Sequence, residues 1–208
     1  MRRILFCLAF FATFIINNAG ADDKNIFYNR SLGLLVVKPD SWKVASAQDH
    51  MRNLENVVIQ DEELYKRIKE NPSLPSLAFI KYPEPYNDIN PSFALNINFI
   101  GEKFIGKDAK EMISALIPGL QKALKDFQLI EGPSDCEVSS LKAAYIKYYN
   151  LMVLADGQSF PSCTEIWIVP RGKILFMITI NRRQDTGAED LQEIKSIVSS
   201  IKIEHKEQ

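Results

Sequence analysis

The stretch KILFMITI at residues 173–180 places the strongest limit on what this chain can fold into. Its residues are apolar almost without interruption, and a tight-turn sequence, Val169-Pro170-Arg171-Gly172, leads into it. A strand sends successive side chains to opposite faces. An apolar run without polar alternation therefore needs cover on both faces, as a central strand does. A sheet that contains it requires one layer above and another below.

Other segments supply those layers. Residues 93–100 (FALNINFI) place Phe93, Leu95, Ile97 and Phe99 on one face and Asn96 and Asn98 on the other, which predicts a half-buried strand. Residues 77–82 predict another, and residues 32–38 a third that stops at Pro39. Residues 138–154 and 164–169 read as a hairpin, and residues 83–91 (PEPYNDINP) hold too much proline for a strand. Residues 22–31 read as a polar lead-in. A helix over 62–70 is capped by Asp61. The clearest helical pattern runs over 108–127, where Met112, Ile113, Leu116, Leu120 and Phe127 recur at helical spacing. Pro118 in mid-pattern predicts a kink or two short helices. Asp185 or Thr186 caps a last helix whose stripe is Leu191, Ile194, Val198 and Ile201. Strands and helices do not alternate, so the expected class is α+β, a mostly antiparallel sheet with helices on both faces.

The N-terminus reads as a leader. Met1-Arg2-Arg3 is basic, residues 4–16 are apolar, and Ala19-Gly20-Ala21 is a small-residue cleavage site. These are the parts of a secretory signal peptide. The apolar run is shorter than the roughly 20 residues that span a bilayer. Its apolarity favours general secretion over a twin-arginine route, and Cys7 sits inside it rather than at a lipoprotein cleavage point. Cleavage is expected after Ala21, leaving residues 22–208 as a single soluble domain, periplasmic or secreted. The formal charge is −1, and losing Arg2 and Arg3 makes it more negative. That excludes the basic footprint of a nucleic-acid binder and disfavours anionic membrane surfaces.

Two cysteines, Cys136 and Cys163, remain after such cleavage. An even pair in an oxidising compartment suggests a disulfide. The hairpin reading puts them at opposite ends of a long strand, beyond the roughly 7 Å a bridge allows. The sequence leaves the bridge open.

Motifs for chemistry are sparse. His50 is the one histidine before the tail and lies in a polar stretch, Gln48-Asp49-His50-Met51-Arg52. No G-x-S-x-G, H-E-x-x-H or C-x-x-C occurs, and the nine glycines form no phosphate loop. No catalytic, cofactor or metal residue is predicted; Glu84 and Asp88 read as solvated loop carboxylates before calcium ligands. Aromatic residues are the remaining hint. Tyr145, Tyr148, Tyr149 and Trp167 fall on the hairpin, while Tyr82 and Tyr86 flank the proline-rich segment. They suit an interaction surface, against the competing reading that they pair across strands or pack under a helix.

Both ends of the chain carry a resemblance. LGLLVVKPDSW, an aliphatic strand that ends in Pro and then Trp, resembles the opening of PsbP-like proteins, including the bacterial DcrB-like envelope proteins. GKILFMITI followed by EDLQEIKSIVSSIKI resembles their closing strand and helix. The resemblance implies an α/β/α sandwich used for binding and assembly, with an envelope protein as partner and no catalysis. The lipoprotein cysteine frequent among DcrB-like members is missing. Two other readings stand beside it: a small exported hydrolase built from scattered carboxylates or His50, and a carrier with an apolar pocket of several hundred Å³ between sheet and helices.

Overall fold

The computed structural model describes residues 24–70, 74–101, 104 and 106–204. The two-sided apolar run forms β10 (Ile174–Arg183), inside the main sheet. β6 (Ser92–Phe99) and β9 (Ser159–Arg171) flank it, both antiparallel. Outward from β6 lie β5 (Leu77–Ile80) and β3 (Lys43–Val44). Outward from β9 lies β8 (Leu141–Leu154), whose far edge pairs with β7 (Lys125–Val138) and with β4 (Val57–Val58).

The faces of β10 feed two cores. Phe176, Ile178 and Ile180 pack with Phe79, Phe93 and Leu95 under Ile194 and Ile197 of α5 (Ala188–Ser200). Leu175, on the other face, joins Ala144, Ile146, Ile166 and Ile168 against Met112 and Ile113 of α3 (Ala109–Ser114). The expected α+β sandwich, antiparallel sheet between helical layers, is the observed architecture.

A second, smaller sheet was not anticipated. β1 (Ile26–Asn29), β2 (Leu34–Val37) and β11 (Lys202–Ile203) form it, joining the two ends of the domain. The presumed polar lead-in thus contains a strand, and Phe27 packs at 5.1 Å on Phe79. α1 (Ala47–Asn56) also escaped the pattern, because it buries no residue; its signal was the Ser46–Asp49 capping box. α2 (Glu62–Glu70) starts as expected, with Leu64 N donating to Asp61 at 3.2 Å.

The long helical pattern is α3 and α4 (Ile117–Ala123), with Pro118 in the first turn of α4, where its missing N–H costs nothing. The chain leaves the helix before Phe127, yet Leu124 and Phe127 still pack on the same core. β7 follows, a largely exposed edge strand with shifts in register. Gly132 there has φ +81°, and a Cβ would stand 2.2 Å from the Tyr145 carbonyl oxygen, so only glycine allows β7 to lie this close to β8. The last helix starts after Gly187, not after Asp185 or Thr186. Asp185 accepts from Arg183 instead, and the Thr186 hydroxyl donates to the Arg183 carbonyl.

The Pro-x-x-Trp turn explains how α5 is held. Trp42 N donates to the Pro39 carbonyl at 3.1 Å, and Lys38 Nζ donates to the Pro39 and Trp42 carbonyls. The indole, 2% exposed, enters the core beneath α5. Its Nε1 donates to Glu193 at 3.0 Å, and Ser41 Oγ donates to the other carboxylate oxygen at 2.6 Å. Lys81, just past β5, donates to Glu193 at 2.7 Å and pairs with Asp190. Burial opposes the charge on Lys81, but the two carboxylates outweigh it and hold its pKa above the usual lysine range. Burial likewise opposes the charge on Glu193, but Lys81, Ser41 and Trp42 leave its pKa below the ordinary 4.5.

Trp42→Ala should cost about 3–5 kcal/mol in urea unfolding, since it removes a buried aromatic and a donor to Glu193. Because the Glu193 pKa is depressed on folding, its stabilising share is complete above 4.5 and disappears as pH falls through the folded value. Urea midpoints measured down through that range should therefore fall less steeply for Glu193→Gln, which should already be about 2 kcal/mol less stable at neutral pH.

Candidate functional site

Two cavities open on opposite faces of the sheet. The first lies under the proline-rich loop, residues 81–91, and beside α1. The loop is fixed by its own polar groups. Asn90 accepts from Tyr82 N at 3.0 Å and donates to the Tyr82 carbonyl and to Glu84, each at 2.9 Å. Glu84 also accepts from Tyr86 N at 2.9 Å. Arg183 holds the far side through both oxygens of Asp88, at 3.1 and 3.0 Å. The Tyr82 and Tyr86 rings stack at 4.7 Å. The cleft measures about 670 Å³, and its wall mixes apolar side chains with the amides Asn53, Asn56, Asn87, Asn90, Gln158 and Asn181. Tyr86 stands at the mouth, 38% exposed. Partial burial, followed by the fields of Tyr82 and Asp88, raises its phenol pKa and keeps it a neutral donor.

The second cavity, about 590 Å³, lies between α5 and the sheet. Strand register sets which side chains share this face of the sheet, and Lys147, Glu165, Trp167 and Arg182 among them line the cavity. Tyr145 pairs with Trp167, Lys147 with Glu165, and Tyr149 with Cys163, which in turn pairs with Arg182 of β10. Paired residues share a face, so these side chains all lie on the α5 side of the sheet. Glu165 accepts from the Tyr145 hydroxyl at 3.0 Å and from Arg182 Nη2 at 3.1 Å. Lys147 pairs with Glu131 of β7 at 3.0 Å. Burial, then the adjacent Glu165 charge, drives the Tyr145 phenol pKa well above its usual range.

No family model matches the sequence, and no curated protein does. Solved structures do. The solution structure of cyanobacterial PsbP (CyanoP) from Synechocystis superposes with a TM-score of 0.52 at 9% identity, over 91% of this chain and 99% of that one. The chain has the PsbP-like fold. LpqN of Mycobacterium tuberculosis, described as involved in cell envelope biogenesis, gives 0.49 at 14% identity over 82% of each chain. A Bacteroides thetaiotaomicron protein gives 0.40 at 10% identity, over 82% of this chain and 45% of that one.

The PsbP-like fold divides the aromatic residues read from the sequence among three environments. Tyr145, Tyr149 and Trp167 face α5, with the Tyr145 and Trp167 rings 4.9 Å apart. Tyr148 points the other way, 5% exposed and 5.0 Å from Phe127, so it is core and not surface. Burial pushes its phenol up to about 12. Tyr82 and Tyr86 sit at the cleft. His50 lies half-buried on α1, one turn before Asn53 of the cleft wall. Glu84 and Asp88 are engaged in the loop's own bonds. Arg182 and Arg183 were missed. Their signal was two charges at the end of an otherwise apolar central strand.

Among the described residues Cys136 and Cys163 are both free thiols, with no bridge between them. Cys136 stands opposite Ala143 and Cys163 opposite Tyr149, on strands that flank β8 from either side. The run from Ala143 to Tyr149 alone spans about 20 Å, far beyond disulfide reach. Burial raises both thiol pKa values. Intact mass should be unchanged by reductant, and Cys163 should react with a thiol reagent only on unfolding. An oxidised mass two hydrogens lighter would contradict the arrangement.

Proposed function

We propose that this chain is an exported, non-catalytic binding domain of the cell envelope that docks a protein partner through the proline-rich loop and the cleft beneath it. The observation that carries the reading is the preformed loop: a segment of turns and prolines, locked by Asn90, Glu84 and the Arg183–Asp88 ion pair, that presents an exposed tyrosine at the mouth of a cleft of mixed polar and apolar lining. Order before binding reduces the entropy lost on association. Tyrosine supplies contact area together with a hydroxyl, and the amides can match a partner's backbone groups. Among the described residues no helix is long and apolar enough to cross a membrane.

Export rests on the leader at residues 1–21, which lies outside the described residues. N-terminal sequencing of the protein recovered from the periplasm or the medium should begin at Asp22. A photo-crosslinking amino acid at position 86 should give a discrete adduct with an envelope protein in living cells. The same probe at Leu129 on β7 should not. Asp88→Ala should abolish the adduct while costing no more than about 1 kcal/mol, because Asp88 is a partly exposed partner of Arg183. Equal adducts at both positions, or none at 86, would overturn the docking surface.

A further inference from the structure

The cavity under α5 contains a buried arginine whose hydrogen bonds are incomplete. Arg182 is 7% exposed. Its Nη2 reaches Glu165 and its Nη1 donates to the Arg183 carbonyl at 3.1 Å. Its Nε is buried and has no acceptor among the described residues. The second oxygen of Glu165 accepts from the Tyr145 hydroxyl and makes no bond to Nε. A buried cationic donor left unmet is unfavourable and calls for an acceptor. Arg182 belongs to the lining of a cavity of about 590 Å³, within the range of small-ligand sites.

We propose that this cavity is a binding site for a small organic monocarboxylate with an apolar body. The acid would complete the donor set of Arg182, and the body would lie along Leu191, Ile194 and Val198 of α5 and against Trp167. The charge pattern selects one negative charge. Arg182 is opposed by Glu165 and Lys147 by Glu131, while Glu137 is in register with Lys142, which alternation places on the far face of the sheet. That leaves Lys195, exposed on the helix at the rim, to meet the ligand. A dianion such as a phosphate monoester would face the Glu165 carboxylate with its second charge. A neutral chain would fill the apolar part and leave Arg182 as it is. This site is on the opposite face from the proline-rich loop and does not depend on the docking proposed there.

Titration with octanoate and 4-phenylbutyrate tests it, with 1-octanol as the neutral counterpart, read by calorimetry and by tryptophan emission. Trp167 lines the cavity, and Trp42, the other of the two tryptophans, is sealed in the core. At least one carboxylate should bind saturably, with 1-octanol about tenfold weaker. Lys195→Ala, an exposed and structurally neutral change, should weaken the carboxylate several-fold and leave 1-octanol unaffected. Arg182→Gln should remove the difference between acid and alcohol. Equal binding of acid and alcohol would overturn the proposal, as would the absence of saturable binding by both acids. A Lys195→Ala protein that binds octanoate as tightly as wild type would overturn the role of the rim charge.

Discussion

The Lys81 ammonium, set between Asp190 and Glu193, is the contact on which the rest of the structure leans. It is largely withdrawn from water, and a cation in that position is tolerable only with its carboxylates in place. Those carboxylates belong to α5, and one of them also receives the Trp42 indole and the Ser41 hydroxyl. One charge cluster therefore joins the end of β5, the turn after β2 and the closing helix. Apolar burial alone would hold α5 on the sheet, but burial is non-directional. The hydrogen bonds select one placement of the helix, and that placement shapes the cavity beneath it. Lys81 is also the first residue of the proline-rich loop, so the same anchor sets where the cleft on the other face begins.

The end of β10 distributes chemistry to both faces by strand alternation. Asn181 and Arg183 face the cleft, where Arg183 grips Asp88. Arg182, between them, faces α5 and meets Glu165. Three consecutive residues thus serve two sites with no backbone irregularity. A polar triplet at the end of an apolar strand is tolerated because each charge has a partner supplied by a neighbouring element. Removing Glu165 would leave the Arg182 charge withdrawn from water, whereas Arg183 is partly exposed and also pairs with Asp185.

The parts of the fold that were legible in sequence are those where burial leaves a periodic trace. β10, β6 and α5 were visible because each commits a face or both faces to the core. α1, β1 and β7 were not. α1 buries no residue, β1 is short, and β7 is an edge whose side chains mostly face solvent. The helical pattern over 108–127 overran into β7 because a helix and a strand that line one core can carry a continuous apolar series, and the series alone does not mark where the backbone changes. The aromatic residues were found as a set but not as neighbours. Sequence spacing on β8 placed Tyr148 beside Tyr149, while the period of two sends them to opposite faces.

By itself the sequence determined the class of the fold: a two-sided strand forces two covering layers, and Pro39 followed by Trp42 marks the turn that closes one of them. It also determined which chemistry was available, rich in tyrosine and amide and poor in histidine. Tertiary structure decided what those residues do. Free thiols in place of a bridge, Tyr148 in the core, Tyr86 at a cleft mouth and Arg182 lacking an acceptor all follow from register and helix placement. These bring together residues far apart in the chain, such as Lys81 with Glu193 and Asp88 with Arg183. Local pattern carries no information about such pairs, because their energy arises only once two distant segments share the same dry space.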